Sequence, residues 1–549
     1  MSLPFTRIEP APLSDVAEQH LVRTRDGVRL ATDVYLPDRP GRHPAVICRL
    51  PYDKNSAWMA IEQIAPHYLD RGYVLVVQDV RGKFRSEGET YPFRHEVADT
   101  FDTIAWVTAQ SWSDGTVGMV GDSYHGYTQW AGVAGGHPAL RAIAPRVTGM
   151  AIGSWGGGAP QQRATSLYQA NYFAHHWVDN AAYDYEVDWS VRPLRDLFET
   201  AFSAIGARSQ ILDRVLSGAS ATPELAARPP FAARPVPVLH RVGWFDNLLD
   251  LSMQDYREQL SRPAWRDLAY LDADACDHYS FHLDDAPVPL ERNHGLDLAV
   301  LQAMLPRYLG RTLDFFDVHV RGRDGGVDRA TWWQGHLGLR TADSWPPAAA
   351  STLRLYPGDA AAATASADGG ALAAAPGAAE QAEWVHDPAD PVPSTVVDSF
   401  TFLIEYPDES VVHDRPDVLT FTGAPQTEPL DLAGPVHAVV DLEVAGPSTD
   451  VFVKLHDVAP DGTTRLVLRG QRRVEGTDGG VVDLGETGYR FRPGHRLRLQ
   501  VSASDFPLYA PHPGTGESPW DAVSVQPIRH RLRLGAGHTH LQLTVATAL

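Results

Sequence analysis

Met119-Val120-Gly121-Asp122-Ser123-Tyr124-His125-Gly126 closes a short apolar run and opens a segment with helical spacing. The layout is that of a nucleophile elbow: a serine on a tight strand-to-helix turn, with small residues where the bend leaves little room. The helix that follows would set backbone N–H groups and a positive dipole end beneath Ser123. A serine held there attacks a carbonyl carbon, and an N–H just after it stabilises the oxyanion. One feature departs from Gly-x-Ser-x-Gly: His125 stands in the second glycine position and Gly126 follows one place later. An ordinary glycine-rich turn with a surface serine reads the same from this stretch alone, so the surrounding chain must decide.

Outward from the elbow, strand and helix patterns alternate. Residues 28–36 alternate like a half-buried strand, whereas 44–50 and 73–79 are near-continuous apolar runs of the kind buried on both faces of a parallel sheet. Residues 99–110 carry an apolar helical face through Phe101, Ile104 and Val107. Two further strand runs end at Gly243 and near Asp272. This is an α/β pattern around a largely parallel sheet. Between them, 151–230 is aromatic-rich with helical periods, such as 192–204, and reads as a helical cap inserted over the ligand-binding edge. Beyond about 340 short β-rich segments recur at 396–397, 418–421, 436–442, 451–455, 465–468 and 496–501, which predicts a β sandwich or jelly roll. The Ala/Gly-rich stretch 360–382 reads as a loose surface loop rather than a linker. The expected architecture is therefore an α/β hydrolase core (1–150 and 231–340), a helical cap (151–230) and a C-terminal β jelly-roll (341–549).

The length, 549 residues, fits several domains, and the composition, 44% hydrophobic and 21% charged, is that of a globular protein. A formal charge of -21 argues against holding a nucleic-acid backbone. Two cysteines, Cys48 and Cys276, exclude a disulfide scaffold and a cysteine-based zinc site, and read as small buried apolar residues. His538 and His540 read as surface residues on a terminal strand rather than metal ligands. No secretory leader and no membrane-spanning run is read, so a cytoplasmic location is expected.

A nucleophilic Ser123 needs an acid and a base, which in α/β-hydrolase order follow it as Asp then His. The strand ending at Gly243 is followed by Trp244-Phe245-Asp246, and the run ending near Asp272 by Cys276-Asp277-His278. Asp246 and His278 thus fall past strand ends on the elbow's side of the sheet, with Asp277 and Asp250 as rival acids. His278 would shuttle the Ser123 proton and Asp246 would fix its tautomer. The backbone N–H of Tyr124 supplies one oxyanion donor. In the loop after an early strand, the Tyr52 hydroxyl is a second donor or a packing tyrosine.

Pro51-Tyr52-Asp53-Lys54, Gln78-Asp79-Val80-Arg81-Gly82 with Ser86-Glu87-Gly88, Asp114-Gly115 through Tyr124, Gly243-Trp244-Phe245-Asp246, and in the β-rich part 387–393 and 492–496, together make the chain resemble the cocaine esterase family. That family is related to the X-Pro dipeptidyl peptidases and α-amino acid ester hydrolases. The resemblance covers most of the chain, least in the insertion. It implies the same three-part architecture and ester or amide hydrolysis without metal or cofactor. It places the triad on Ser123, Asp246 and His278 and the oxyanion hole on Tyr52 and Tyr124. The family pattern Gly-x-Ser-Tyr-x-Gly also absorbs the late Gly126. Departures are His125, a shorter cap, Ala275-Cys276-Asp277 before His278, and 331–334, all bearing on specificity.

The leading expectation is a serine esterase working through an acyl-enzyme. His125, Trp155, Tyr168 and Phe245 are the expected pocket residues, with core packing as the competing role for the cap aromatics. An amino-ester hydrolase or aminopeptidase is the second reading. It would use carboxylates such as those of Asp184, Glu186 and Asp188, which otherwise form a solvated face. Acyl transfer is a third reading, and an inert binding protein a fourth. The partners expected are a small-molecule ester or amide and, for the chain itself, a homodimer. Neither nucleic acid nor membrane is expected.

Overall fold

The computed structural model describes residues 5–153, 164–217, 223–364, 366, 368–396, 398–476 and 479–546. Among them, ten strands form one sheet. Its order is Gly338–Ala342, Ala330–Gln334, Ala269–Asp274, Val238–Gly243, Leu140–Arg146, Ser113–Asp122, His43–Leu50, Val74–Asp79, Arg29–Tyr35, Glu18–Arg23. Its central pairs are parallel, and antiparallel pairing is confined to the margins. This is the predicted α/β core. The runs His43–Leu50 and Val74–Asp79 are buried along their length, as unbroken apolar strands require. Arg29–Tyr35 differs from expectation, being buried on both faces after its first residue. Its polar Asp33 and Thr32 are accommodated by partners, Asn55 Nδ2 donating to Asp33 and Gln78 Nε2 to Thr32.

Two element boundaries differ from expectation, one of a helix and one of a strand. The helix predicted over 192–204 begins only at Glu199, because Pro193 fixes its φ and lacks an N–H, and a 3-10 turn, Leu194–Asp196, precedes it. The run predicted over 266–272 starts as a 3-10 turn and becomes a strand at Ala269. The chain also carries a long helix, Leu298–His319, that the sequence reading passed over. It packs Leu305, Leu309, Leu313 and Phe316 against one face of the sheet, where Val46, Leu75 and Ala144 lie.

The cap helix Leu167–His176 joins the core on the elbow side. Leu167, Phe173 and Trp177 share one apolar cluster with Phe93, Tyr124 and Tyr127, and Trp177 lies 5.2 Å from Tyr124, ring to ring. Lys83 pins the end of that helix, its buried Nζ donating to the carbonyls of His176 (2.6 Å), Asp179 (3.0 Å) and Ala181 (2.6 Å). The acidic run at 184–188 does not face the core: Ala182–Tyr185 pairs with Phe5–Ile8 as a two-stranded ribbon, with Asp184 exposed.

The C-terminal part is β throughout its framework: a nine-stranded sheet and a three-stranded sheet, packed through a large apolar cluster. The predicted segments at 418–421, 436–442, 451–455, 465–468 and 496–501 all fall in strands or at their edges. The segment at 396–397 does not: Val396 is irregular, and Val397 lies outside the described residues. The stretch read as a loop over 360–382 includes the short strand Gly370–Ala373. The segment 398–406, which includes the short helix Phe402–Glu405, docks on the core. Tyr279 N–H donates to Phe400 O (3.3 Å), Val288 N–H to Ile404 O (2.9 Å), and Leu403 N–H to Asp277 (3.0 Å). That docking brings side chains of the β domain to the core's catalytic edge.

Candidate active site

The strand Ser113–Asp122 runs directly into the helix Ser123–Gly135, and Ser123 has φ 53°, a conformation side chains rarely adopt. The two glycines explain themselves. Gly121 has φ 137°, and a Cβ there would sit 2.6 Å from His125 Nδ1. A Cβ on Gly126 would meet Thr148 Cγ2 at 2.4 Å. The helix thus approaches residue 148 one position later than the usual motif, which frees position 125 for a large side chain. Thr148 Oγ1 donates to the Ser123 carbonyl (2.6 Å), bracing the turn. This is the strained strand-to-helix bend of a nucleophile elbow.

Asp246 and His278 come together as expected. The turns after Val238–Gly243 and Ala269–Asp274 are stitched by Trp244 N–H to Asp274 O (2.9 Å) and Phe245 N–H to Cys276 O (3.0 Å). His278 Nδ1–H donates to Asp246 Oδ1 at 2.6 Å, both groups buried. That bond leaves Nε2 as the free ring nitrogen. The rival acids do other things. Asp277 accepts from the N–H groups of Tyr279 (3.1 Å), Phe281 (3.0 Å) and Leu403 (3.0 Å), and burial pushes its carboxyl up. Asp250 lies on the exposed side of the helix Leu249–Ser261.

Tyr52, in the loop after His43–Leu50, has its hydroxyl within hydrogen-bond reach of Ser123 and 3.4 Å from the Tyr172 hydroxyl. Burial pushes its phenol up, so it holds its proton at neutral pH. Its loop is anchored by the next two residues. Asp53 accepts from Ala11 N–H (2.5 Å) and Arg85 Nη1 (3.1 Å). Buried Lys54 sits 3.4 Å from both Asp33 and Asp79. The Tyr124 side chain points away into the core, donating to Glu96 (2.9 Å) and accepting from Phe93 N–H (3.0 Å). Its backbone N–H belongs to the first turn of the helix, where no intrahelical acceptor exists.

The expected pocket residues divide. His125 is buried beneath Tyr52, its ring 6.0 Å from that of Tyr52 and its Nδ1 3.3 Å from Cys48 Sγ. Burial lowers it to about 4, so it is neutral; it supports the oxyanion side more than it lines open space. Tyr168 and Phe245 line a cavity of about 460 Å³ between core, cap and β domain, together with Asp246, Leu248 and Phe402. Trp155 lies outside the described residues.

Several site residues were not anticipated. Phe400 stacks on His278 at 4.4 Å between ring centres, and the Tyr168 ring meets Phe400 edge-on at 4.7 Å. Tyr172 backs Tyr52, Trp58 meets Tyr52 edge-on, and Tyr279 packs on Trp58. Arg146 is also new: buried, it donates to Asp122 Oδ2 (2.8 Å), just before Ser123, and to Cys276 Sγ (3.3 Å), just before His278. Burial would raise Asp122, but Arg146, His125 and Tyr308 outweigh it and hold its carboxyl down. No lone motif marks these residues, because their partners are distant in the chain. Among the described residues no cluster of His, Cys, Asp and Glu suits a metal ion, and no helix is long and apolar enough to cross a membrane. His538, read as a plain surface residue, pairs with Asp441 at 2.6 Å.

Two family models match the chain: X-Pro dipeptidyl-peptidase (S15 family) over residues 26–273, and the X-Pro dipeptidyl-peptidase C-terminal non-catalytic domain over 317–544. The chain is 30% identical to cocaine esterase of Rhodococcus sp. (strain MB1 Bresler), over 91% of this chain and 93% of that one. Among solved structures it is similar to an aminopeptidase from a marine sediment archaeon of the Thaumarchaeota (TM-score 0.78, 20% identity). It is also similar to an α-amino acid ester hydrolase (TM-score 0.77, 23% identity). Each of these covers 98% of both chains.

Proposed function

The chain belongs to the serine hydrolase family of cocaine esterase and the S15 X-Pro dipeptidyl-peptidases, and from that premise we propose that it hydrolyses carboxylic esters through an acyl-enzyme on Ser123. Ser123 Oγ attacks the ester carbonyl carbon while His278 Nε2 takes its proton. The tetrahedral oxyanion accepts hydrogen bonds from the Tyr52 hydroxyl and the Tyr124 N–H. Collapse breaks the bond to the alcohol oxygen, which leaves with the proton returned by His278. Water then repeats the sequence, releasing the acid and restoring Ser123. Asp246 holds Nδ1–H throughout and stabilises the imidazolium.

The observation that carries this reading is the 2.6 Å bond from His278 to Asp246, each set just past a strand of the sheet in which Ser113–Asp122 leads into Ser123 at φ 53°. The carboxylates at 184–188 lend no support to ammonium recognition, since Asp184, Glu186 and Asp188 are exposed. Both cysteines are free, in keeping with a reducing, cytoplasmic setting.

The test is turnover of p-nitrophenyl esters of graded acyl length, with Ser123→Ala and fluorophosphonate labelling as controls. Turnover abolished by Ser123→Ala, with covalent labelling of Ser123, is expected. Turnover confined to aminoacyl p-nitroanilides would replace the esterase by an aminopeptidase. Neither turnover nor labelling would leave a binding protein.

A further inference from the structure

We propose that Trp58 and Tyr279 form the leaving-group subsite, so that the preferred substrates are esters of alcohols carrying a flat aromatic group; this rests on the esterase reading above. The geometry of proton return fixes where that group must lie. His278 Nδ1 is committed to Asp246 at 2.6 Å, so the departing oxygen must take its proton at Nε2. The carbonyl oxygen faces Tyr52 and the Tyr124 N–H. The alcohol portion therefore extends into the space bounded by His278 on one side and Tyr52 on the other.

That space has an aromatic wall. Trp58 meets Tyr52 edge-on at 5.2 Å between ring centres, and meets Tyr279 at 5.5 Å. Tyr279 in turn is 5.9 Å from His278 and nearly parallel to Phe400 at 5.7 Å. The rings run as an arc from the oxyanion side to the base. Trp58 is 53% exposed, and is the only exposed tryptophan among the described residues. Exposure of one indole is ordinary by itself; what singles out Trp58 is that its ring closes an arc with Tyr52 and Tyr279 that ends on His278. Tyr279 is fixed from behind: its carbonyl accepts from His294 Nε2 (2.8 Å), and its N–H donates to Asp277 and to Phe400.

The arc is separate from the cavity between core, cap and β domain. The 460 Å³ cavity opens at Asp246, Tyr168 and Phe245, and neither Trp58 nor Tyr279 lines it. A flat ring on the alcohol side gains an offset-stacked or edge-on contact with the indole that an alkyl group does not match.

The experiment compares 2-naphthylmethyl and ethyl esters of one carboxylic acid, using the full chain, Trp58→Ala and Trp58→Phe. Trp58→Ala should lower kcat/KM for the naphthylmethyl ester about tenfold and for the ethyl ester less than about twofold, with Trp58→Phe retaining most of the preference. The deacylation rate, read from the steady phase after the burst with the p-nitrophenyl ester of the same acid, should stay unchanged, because the alcohol has departed before that step. An equal loss on both esters would make Trp58 a support for Tyr52 and overturn the subsite. A slowed deacylation would assign the residue to the acyl side and overturn it as well. Absence of Ser123-dependent turnover of either ester by the unaltered protein would instead fail the esterase reading itself.

Discussion

Phe400, from the β domain, lies on the His278 ring of the core at 4.4 Å, with the two planes 28° apart. Asp246 fixes one edge of the imidazole and Phe400 one face, so the ring has little freedom to turn. The contact depends on domain docking, since Tyr279 N–H donates to Phe400 O on the same segment. Stacked aromatic pairs contribute about 0.5–1.5 kcal/mol beyond buried area. Phe400→Ala should therefore lower kcat/KM on p-nitrophenyl acetate about three- to tenfold and slow fluorophosphonate labelling of Ser123 in proportion. Phe400→Tyr should stay near the unaltered rate. Labelling that is unchanged in Phe400→Ala would remove the positioning role.

The two acids near His278 should separate cleanly on mutation. Asp246→Asn leaves the shape intact but lets His278 adopt the wrong tautomer, which costs kcat about 10³- to 10⁴-fold. Asp277→Asn keeps one oxygen, which can still accept from Tyr279 and Phe281 N–H, but puts an NH₂ in place of the other, towards which Leu403 N–H points. A buried donor facing donors costs about 1–3 kcal/mol. Asp277→Asn should thus show mainly in the thermal midpoint and Asp246→Asn mainly in kcat. Paired melting curves and steady-state rates decide it, and the reverse pattern would exchange the two roles.

Tyr52→Phe removes a single hydroxyl from the oxyanion side. Loss of one such donor lowers kcat about 10²- to 10³-fold while leaving KM nearly unchanged, because the bond strengthens only as charge develops. Burial has pushed the Tyr52 phenol up, so its ionisation should not appear in the activity profile below pH 10. If Tyr52→Phe retains full kcat, the hydroxyl plays no part and Tyr52 is a packing residue.

The elbow was legible because backbone constraint leaves a mark in sequence: Gly121 and Gly126 are where a Cβ would collide, and they bracket the serine. Asp246 and His278 were legible from chain order, since each follows a buried strand. Phe400, Trp58 and Tyr172 were not. Their place depends on how a β-domain loop, a 3-10 turn and a cap helix dock around the elbow, and docking leaves no period in the sequence. The helix Leu298–His319 escaped for a local reason, Pro306 standing inside its apolar repeat. The boundary at 192–204 failed for the related reason that Pro193 delays the helix it precedes.

The β domain should make the protein acid-sensitive through histidines that fold neutral. His386 and His530 are buried between the two sheets, and Trp384 stacks on His530 at 4.6 Å. Burial lowers His386 to about 4 and His530 to about 3. The neighbours are Asp417, Asp450 and His512, and the carboxylates do not offset the burial. In the unfolded chain both imidazoles protonate near 6.5, so below that pH the unfolded state binds more protons than the folded one and stability falls as pH falls. The loss should be steepest from about pH 6.5 down to about pH 4, where His386 itself takes up a proton, and continue more gently to about pH 3 through His530. His386→Phe fills the same buried space with a ring that cannot be protonated. The slope of unfolding free energy against pH, from urea titrations between pH 4 and 7, should be shallower in His386→Phe by close to one proton. An unchanged slope would mean that His386 takes up a proton in the folded state as readily as in the unfolded one.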